Sequence, residues 1–105
     1  MPISVDACVA QHLGDRREQQ DRVAILPHPG GGGVALAVVA DGMGGHTGGT
    51  IAAQQVVHTA RNNLERFSAR SESARVLLES SINEAHMLIK ACRFINEKDP
   101  HSTVV

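Results

Sequence analysis

Residues 34–46 read VALAVVADGMGGH, an apolar run that ends at Asp41 and passes directly into a glycine-rich segment. The apolar run is too short for a typical helix and contains no polar position, which predicts a strand that is buried on both faces. A carboxylate at the end of such a strand is well placed to bind a hard cation, and the carbonyl group of Gly42 can point at the same ion. This stretch therefore predicts a buried strand that delivers a candidate metal ligand.

Two other interpretations of this stretch are open. An Asp-Gly pair is a common turn signal, so Asp41 and Gly42 could form only a flexible connection. A strand that leads through glycines into a helix could also cradle the phosphates of a nucleotide. The spacing argues against a nucleotide, because no Lys-Ser/Thr pair follows and Gly44 is followed three positions later by Thr47, not by glycine. A carboxylate at the mouth of the loop would also repel phosphate unless a metal ion lay between them.

Further strands are predicted on both sides of this one. Residues 3–11 and 22–27 are rich in β-branched side chains and partly alternate between apolar and polar, which predicts an antiparallel pair. Residues 27–33 contain two prolines and four glycines, so they predict a surface loop with a mobile backbone. Residues 102–105 look like the opening of another strand.

Two helices are predicted from the spacing of apolar residues. The first spans residues 50–67 and the second spans residues 72–97, ending before Pro100. The order of elements is then three strands, two helices and the start of a strand. This order predicts an α+β arrangement with the helices laid against a sheet.

A second segment that could carry chemistry lies at the turn into the strand at 22–27. It places Arg16 and Asp21 five positions apart. Arginine presents a fork of donors that matches phosphate oxygens, and the aspartate could hold a metal-bound water. Taken alone, this run of charged residues is more typical of a solvated turn.

Together these segments resemble the PPM (type 2C) family of metal-dependent serine/threonine protein phosphatases. Gly14, Arg16 and Asp21 stand where that family has its Gly-x-Arg…Asp motif, and residues 41–46 match the Asp-Gly-Met-Gly-Gly-His form of its bacterial members. Residues 102–104 resemble the family's Gly-Thr-Thr strand start. The resemblance covers nearly all of the 105 residues in the right order.

The resemblance implies a role for each matching position. Asp41 would bridge two Mn²⁺ or Mg²⁺ ions, and Gly42 would supply a carbonyl oxygen to one of them. Arg16 would hold the substrate phosphate, and Asp21 would orient a metal-bound water. The implied reaction is hydrolysis of phosphoserine or phosphothreonine in proteins by metal-activated water. Gln20 stands where many members of the family have an acidic residue, which slightly reduces the negative charge near the metals.

The resemblance also implies that residues 1–105 are the N-terminal, incomplete part of a phosphatase domain. The fold would then be a partial four-layer αββα sandwich, because the family's other metal aspartates and strands lie further downstream. Such a chain should be inactive by itself, and its uncovered strand edges and helix faces should favour self-association. The alternative is a non-catalytic domain of the same fold that binds a phosphoprotein or another partner.

Composition restricts the remaining classes of partner. Ten Lys and Arg residues against eleven Asp and Glu residues give a formal charge of -1, which offers no long-range attraction for nucleic acid or an anionic membrane. No apolar run approaches the ~20 residues of a membrane span. The two cysteines are far apart and form no motif, which is typical of a reduced, cytoplasmic protein.

Overall fold

The fold combines one small antiparallel sheet with two helices. The computed structural model describes residues 6–12, 14, 20–43, 48–96 and 100–105. Within these ranges the elements are β1 (Asp21–Pro27), β2 (Ala35–Met43), α1 (Gly48–Arg66), α2 (Ala74–Asn96) and β3 (His101–Ser102). The strands lie in the order β1-β2-β3, and both neighbouring pairs are antiparallel. The prediction of an α+β arrangement is confirmed.

Both predicted helices and one predicted strand lie within two residues of the observed elements. The helices predicted over 50–67 and 72–97 are observed as α1 and α2, and the strand predicted over 22–27 is observed as β1. The strand predicted over 3–11 is wrong for its described part, because residues 6–11 form no strand and are exposed. Exposed residues present no apolar face to a core, so alternation alone was not enough to make a strand there.

The prediction that the central strand is buried on both faces is also wrong. Along β2 the side chains alternate, with Val38 and Ala40 buried and Ala37, Val39 and Asp41 exposed. One face of the sheet packs against α1. We call the opposite face the outer face. No part of the chain that the structure describes covers it along β2.

The core lies between the inner face of the sheet and the two helices. Helix α1 packs on the sheet, and α2 packs on α1 through its own buried residues. Ser73 caps the start of α2, since its backbone carbonyl and side-chain hydroxyl both accept hydrogen bonds from the N–H of Val76. Neither helix of the described ranges is long and apolar enough to cross a membrane. The buried apolar side chains of this core cluster are Leu26, Val38, Ala40, Ala53, Val56, Ala60, Leu64, Phe67, Leu77 and Ala85.

The loop between β1 and β2 is tied to the helical layer by His28. The imidazole Nδ1 accepts a hydrogen bond from the N–H of Gly30 at 3.0 Å, and Nε2 donates to the carbonyl oxygen of Phe67 at 2.6 Å. The ring of His28 also meets the ring of Phe67 edge to face, with centroids 6.2 Å apart. The N–H of His28 donates to the carbonyl of Val34 at 2.9 Å, which closes the loop at its base. These contacts of His28 therefore fix the start of the glycine-rich loop to the helical layer.

We expect His28→Ala to lower the free energy of unfolding by about 1–2 kcal/mol. The substitution removes two hydrogen bonds, each of which contributes about 0.5–1.5 kcal/mol, and it leaves the Phe67 carbonyl without this donor. Urea denaturation followed by circular dichroism measures the difference. His86→Ala, at an exposed position of α2, is the matched control. Equal stability of the two variants would contradict an anchoring role for His28.

Candidate metal centre

Asp21 and Asp41 lie directly opposite each other on neighbouring strands. They are register partners in the β1–β2 ladder, and the N–H of Gly42 donates to the carbonyl of Gln20 at 3.1 Å one position further on. Hydrogen-bonded and non-hydrogen-bonded pairs alternate along an antiparallel ladder, so the Asp21–Asp41 pair is of the second kind. In such pairs the Cα atoms are typically about 4.5 Å apart. Both carboxylates therefore project close together from the outer face.

Backbone groups of both Asp21 and Asp41 form hydrogen bonds with residues other than the opposite aspartate. The N–H of Thr103 donates to the carbonyl of Asp41 at 2.9 Å, and the N–H of Asp41 reaches the hydroxyl of Thr103 at 3.3 Å. The carbonyl of Asp21 accepts from the amide of Gln11 at 2.9 Å and from the guanidinium of Arg22 at 2.7 Å. Each aspartate thus has its main chain turned away from the other, which leaves the two side chains facing the same space.

Two carboxylates placed directly opposite each other repel, and this arrangement destabilises an antiparallel pair. A divalent cation between them would remove the repulsion, and carboxylate oxygens are the ligands that Mg²⁺ and Mn²⁺ prefer. Together with the carbonyl of Gly42, the pair fits a hard cation. Among the residues that the structure describes, no group of three or more His, Cys, Asp or Glu side chains comes together. Water would therefore fill most of a shell of about six oxygens.

The end of β2 and the start of α1 meet at two glycines. A Cβ atom added to Gly42 would overlap the carbonyl group of Gly49. A Cβ atom added to Gly49 would lie 2.8 Å from the carbonyl carbon of Gly42 and 2.6 Å from the side-chain oxygen of Gln20. Side chains at these positions are excluded, because Cβ atoms do not approach other atoms so closely. The glycines allow the helix to begin directly against the strand that carries Asp41.

An apolar strip adjoins the carboxylates on the outer face. Val23 is paired with Val39, and Val39 in turn exchanges two backbone hydrogen bonds of 2.9 Å with Val105. Val39 is 46% exposed and Val105 is 89% exposed. A row of valines that points to solvent is unusual for a sheet, because β-branched side chains contribute most when they are covered. The outer face is therefore suited to covering by further protein.

A separate groove lies between α2 and the inner side of the sheet. It has a volume of about 560 Å³ and an apolar lining that includes Leu36, Val38, Val56, Ala60, Ile82 and Ile89. No acidic side chain lines it. Without a carboxylate its lining is poorly suited to a hard cation, so the carboxylates of the outer face form the better candidate metal site.

The predicted site residues fall into two groups. Asp21, Asp41 and Gly42 are brought together at one end of the β1–β2 ladder. Arg16 lies outside the described residues, as does His46, so the structure says nothing of either. The contact of Thr103 with Asp41 was missed, because a strand start at 102–105 carries no signal in the sequence for its register against β2.

Comparison with known proteins gives one match. A family model described as protein phosphatase 2C matches residues 9–105, a range that includes every strand and helix described above together with the opposed carboxylates. No curated protein matches the chain, and no solved structure matches it.

Proposed function

Because the chain belongs to the protein phosphatase 2C family, we propose that it provides part of a metal-dependent site that hydrolyses phosphoserine and phosphothreonine in proteins. The opposed carboxylates of Asp21 and Asp41 carry this proposal. Two like charges at this distance cost stability in the absence of a cation, and such a cost is typical of a site shaped for function.

The residues have separate roles in this proposal. Asp41 and the carbonyl of Gly42 would hold Mn²⁺ or Mg²⁺. When bound, such ions activate water and neutralise charge on the phosphoryl group. Asp21 orients the attacking water by accepting its hydrogen bond. Arg16 binds the phosphate of the substrate through its forked donors.

We also propose that residues 1–105 form the N-terminal part of the phosphatase domain. Two features of the described residues support this division. On the outer face Val39 and Val105 are exposed to solvent, and the two carboxylates alone hold too few oxygens for a pair of hard cations. A second sheet laid on the outer face would cover the valines and could bring further ligands to Asp41.

A non-catalytic role is the second candidate function. It is favoured by the small number of acidic ligands in the described ranges. In this case the same fold would bind a phosphoprotein or another partner without hydrolysis. The reading frame beyond codon 105 separates the two candidates, since further Asp-Gly and Asp-Asn segments would favour the phosphatase.

The proposed function is tested by fusing residues 1–105 to the C-terminal part of another phosphatase 2C domain. We expect the folded fusion to release phosphate from a phosphothreonine peptide with Mn²⁺ and to lose this activity with a chelator. The same fusion carrying Arg16→Ala should show a raised Michaelis constant, because the guanidinium contacts phosphate and holds no metal. A folded fusion without turnover would contradict the phosphatase assignment and favour the binding role.

The unfused chain of 105 residues should bind Mn²⁺ weakly and hydrolyse no measurable p-nitrophenyl phosphate. Asp41, Asp21 and the Gly42 carbonyl supply few of the oxygens that a hard cation requires, so water makes up the remainder and the metal is easily lost. Calorimetric titration with Mn²⁺ measures the affinity, and Asp41→Asn is the control for binding elsewhere. Micromolar affinity together with turnover would show that these three ligands are sufficient.

The same chain should self-associate as its concentration rises. Val39 and Val105 of the outer face are exposed, and covering such apolar side chains by a second chain removes them from water. Sedimentation velocity at two concentrations measures the association. Val39→Ser should weaken it, whereas Val76→Ser, at a position on α2 that is similarly exposed, should not. Equal effects of both substitutions would place the contact away from the outer face.

A further inference from the structure

We propose that Gln20 is a positioning residue, whose side chain packs against Gly49 at the start of α1 and thereby holds the end of the β1–β2 ladder in register. This inference rests on the proposed metal-dependent function only for its effect on metal affinity. The effect on the backbone follows from the contacts alone.

Gln20 lies opposite Gly42 across the ladder. The pairing of Asp21 with Asp41 continues by one residue, as the bond from the N–H of Gly42 to the carbonyl of Gln20 shows. Paired residues of an antiparallel ladder direct their side chains to the same face of the sheet. Gly42 is on the buried face, so the side chain of Gln20 also points towards α1.

The side chain of Gln20 reaches the first turn of α1. Its amide oxygen lies 2.6 Å from the place where a Cβ atom of Gly49 would be, and its backbone oxygen lies 2.6 Å from the corresponding place at Gly42. Gly42 and Gly49 are themselves in direct backbone contact. Three segments therefore meet at this point, where the side-chain oxygen of Gln20 lies in the space beside Gly49 and its backbone oxygen lies beside Gly42.

The contact between Gln20 and α1 matters because successive side chains of a strand point to opposite faces of the sheet. A slip of one residue between β1 and β2 would move Asp41 from the outer face to the covered face and separate it from Asp21. Gln20 and Gly42 pair one residue beyond the opposed carboxylates. By packing against Gly49, the side chain of Gln20 links this end of the ladder to the helix. The opposition of the two carboxylates then depends on the contact between Gln20 and the first turn of α1.

The test compares Gln20→Ala with Gln20→Met in the chain of 105 residues. We expect Gln20→Ala to speed hydrogen exchange at the amide of Gly42 about tenfold and to weaken Mn²⁺ binding about tenfold, the lower end of the range for groups that orient metal ligands. Exchange at Ala60 in the middle of α1 should stay unchanged. Gln20→Met fills the same space and should restore slow exchange. Gln54→Ala, at an exposed position of α1, is the control and should change neither quantity.

Unchanged exchange at Gly42 in Gln20→Ala would overturn the proposal, as would equal acceleration at Ala60 or a failure of Gln20→Met to restore slow exchange. Exchange is measured with no metal present, so it decides the positioning role by itself. If the unsubstituted chain and the fusion both failed to bind Mn²⁺, the proposed function would fail while the exchange result stood.

Discussion

Asp41→Asn is expected to reduce phosphatase activity about 10²–10³-fold in the fusion described above, and also to leave the metal-free chain more stable than before. The loss of activity follows because electrostatic stabilisers of a reaction commonly contribute about this much each, and Asp41 is a metal ligand in the proposed site. The gain in stability follows because the substitution ends the repulsion between Asp41 and Asp21. Opposite-strand pairs of this kind typically change stability by about 0.2–1 kcal/mol.

Two measurements check this expectation. Turnover of a phosphothreonine peptide at saturating Mn²⁺ gives the loss of activity, and urea denaturation with a chelator present gives the change in stability. Asp21→Asn is the matched variant, since it removes the same repulsion from the other strand. Near-normal turnover by Asp41→Asn would refute its role as a metal ligand. A drop in the metal-free stability of both variants would refute the opposed geometry.

Gly42→Ala and Gly49→Ala are each expected to destabilise the fold by about 3 kcal/mol or more. An added methyl group at Gly42 meets the backbone of Gly49, and one at Gly49 meets the backbone of Gly42. Backbone atoms cannot turn aside as the end of a side chain can, so the helix would have to move away from the strand. Forced overpacking of this type usually costs about 1–3 kcal/mol, and contact with backbone places these two at the upper end or beyond.

Gly31→Ala is the matched control for both glycine variants. Gly31 has a φ of 72° and no atom within 4 Å of an added Cβ, so its substitution tests backbone strain without a clash. The strain alone should cost about 1–2 kcal/mol. Thermal unfolding of all three variants gives the comparison. If Gly42→Ala and Gly49→Ala cost no more than Gly31→Ala, the close approach of α1 to the end of β2 would be disproved.

Much of the local structure could be predicted from the sequence alone. The apolar spacing of α1 and α2 predicted both helices to within two residues of their observed ends, because an amphipathic stripe is a property of neighbouring residues. The apolar run before Asp41 likewise predicted β2, although the strand does not end at Asp41 as expected but continues to Met43. The resemblance of the motifs to the protein phosphatase 2C family extended this to a set of site residues, and the family is shown by the match over 9–105.

What the tertiary structure decided concerns pairs of residues that are distant in the chain. The sequence of β2 is apolar at successive positions, so it could not reveal that only the face of Val38 and Ala40 would be covered. It also could not reveal that Asp21 would stand opposite Asp41, because the register between two strands depends on the loop that joins them and on what packs above. The position of Gln20 beside Gly42 and Gly49 depends in turn on that register and on the residue at which α1 begins. Periodicity is set within one element, whereas register and coverage arise only when separate elements meet.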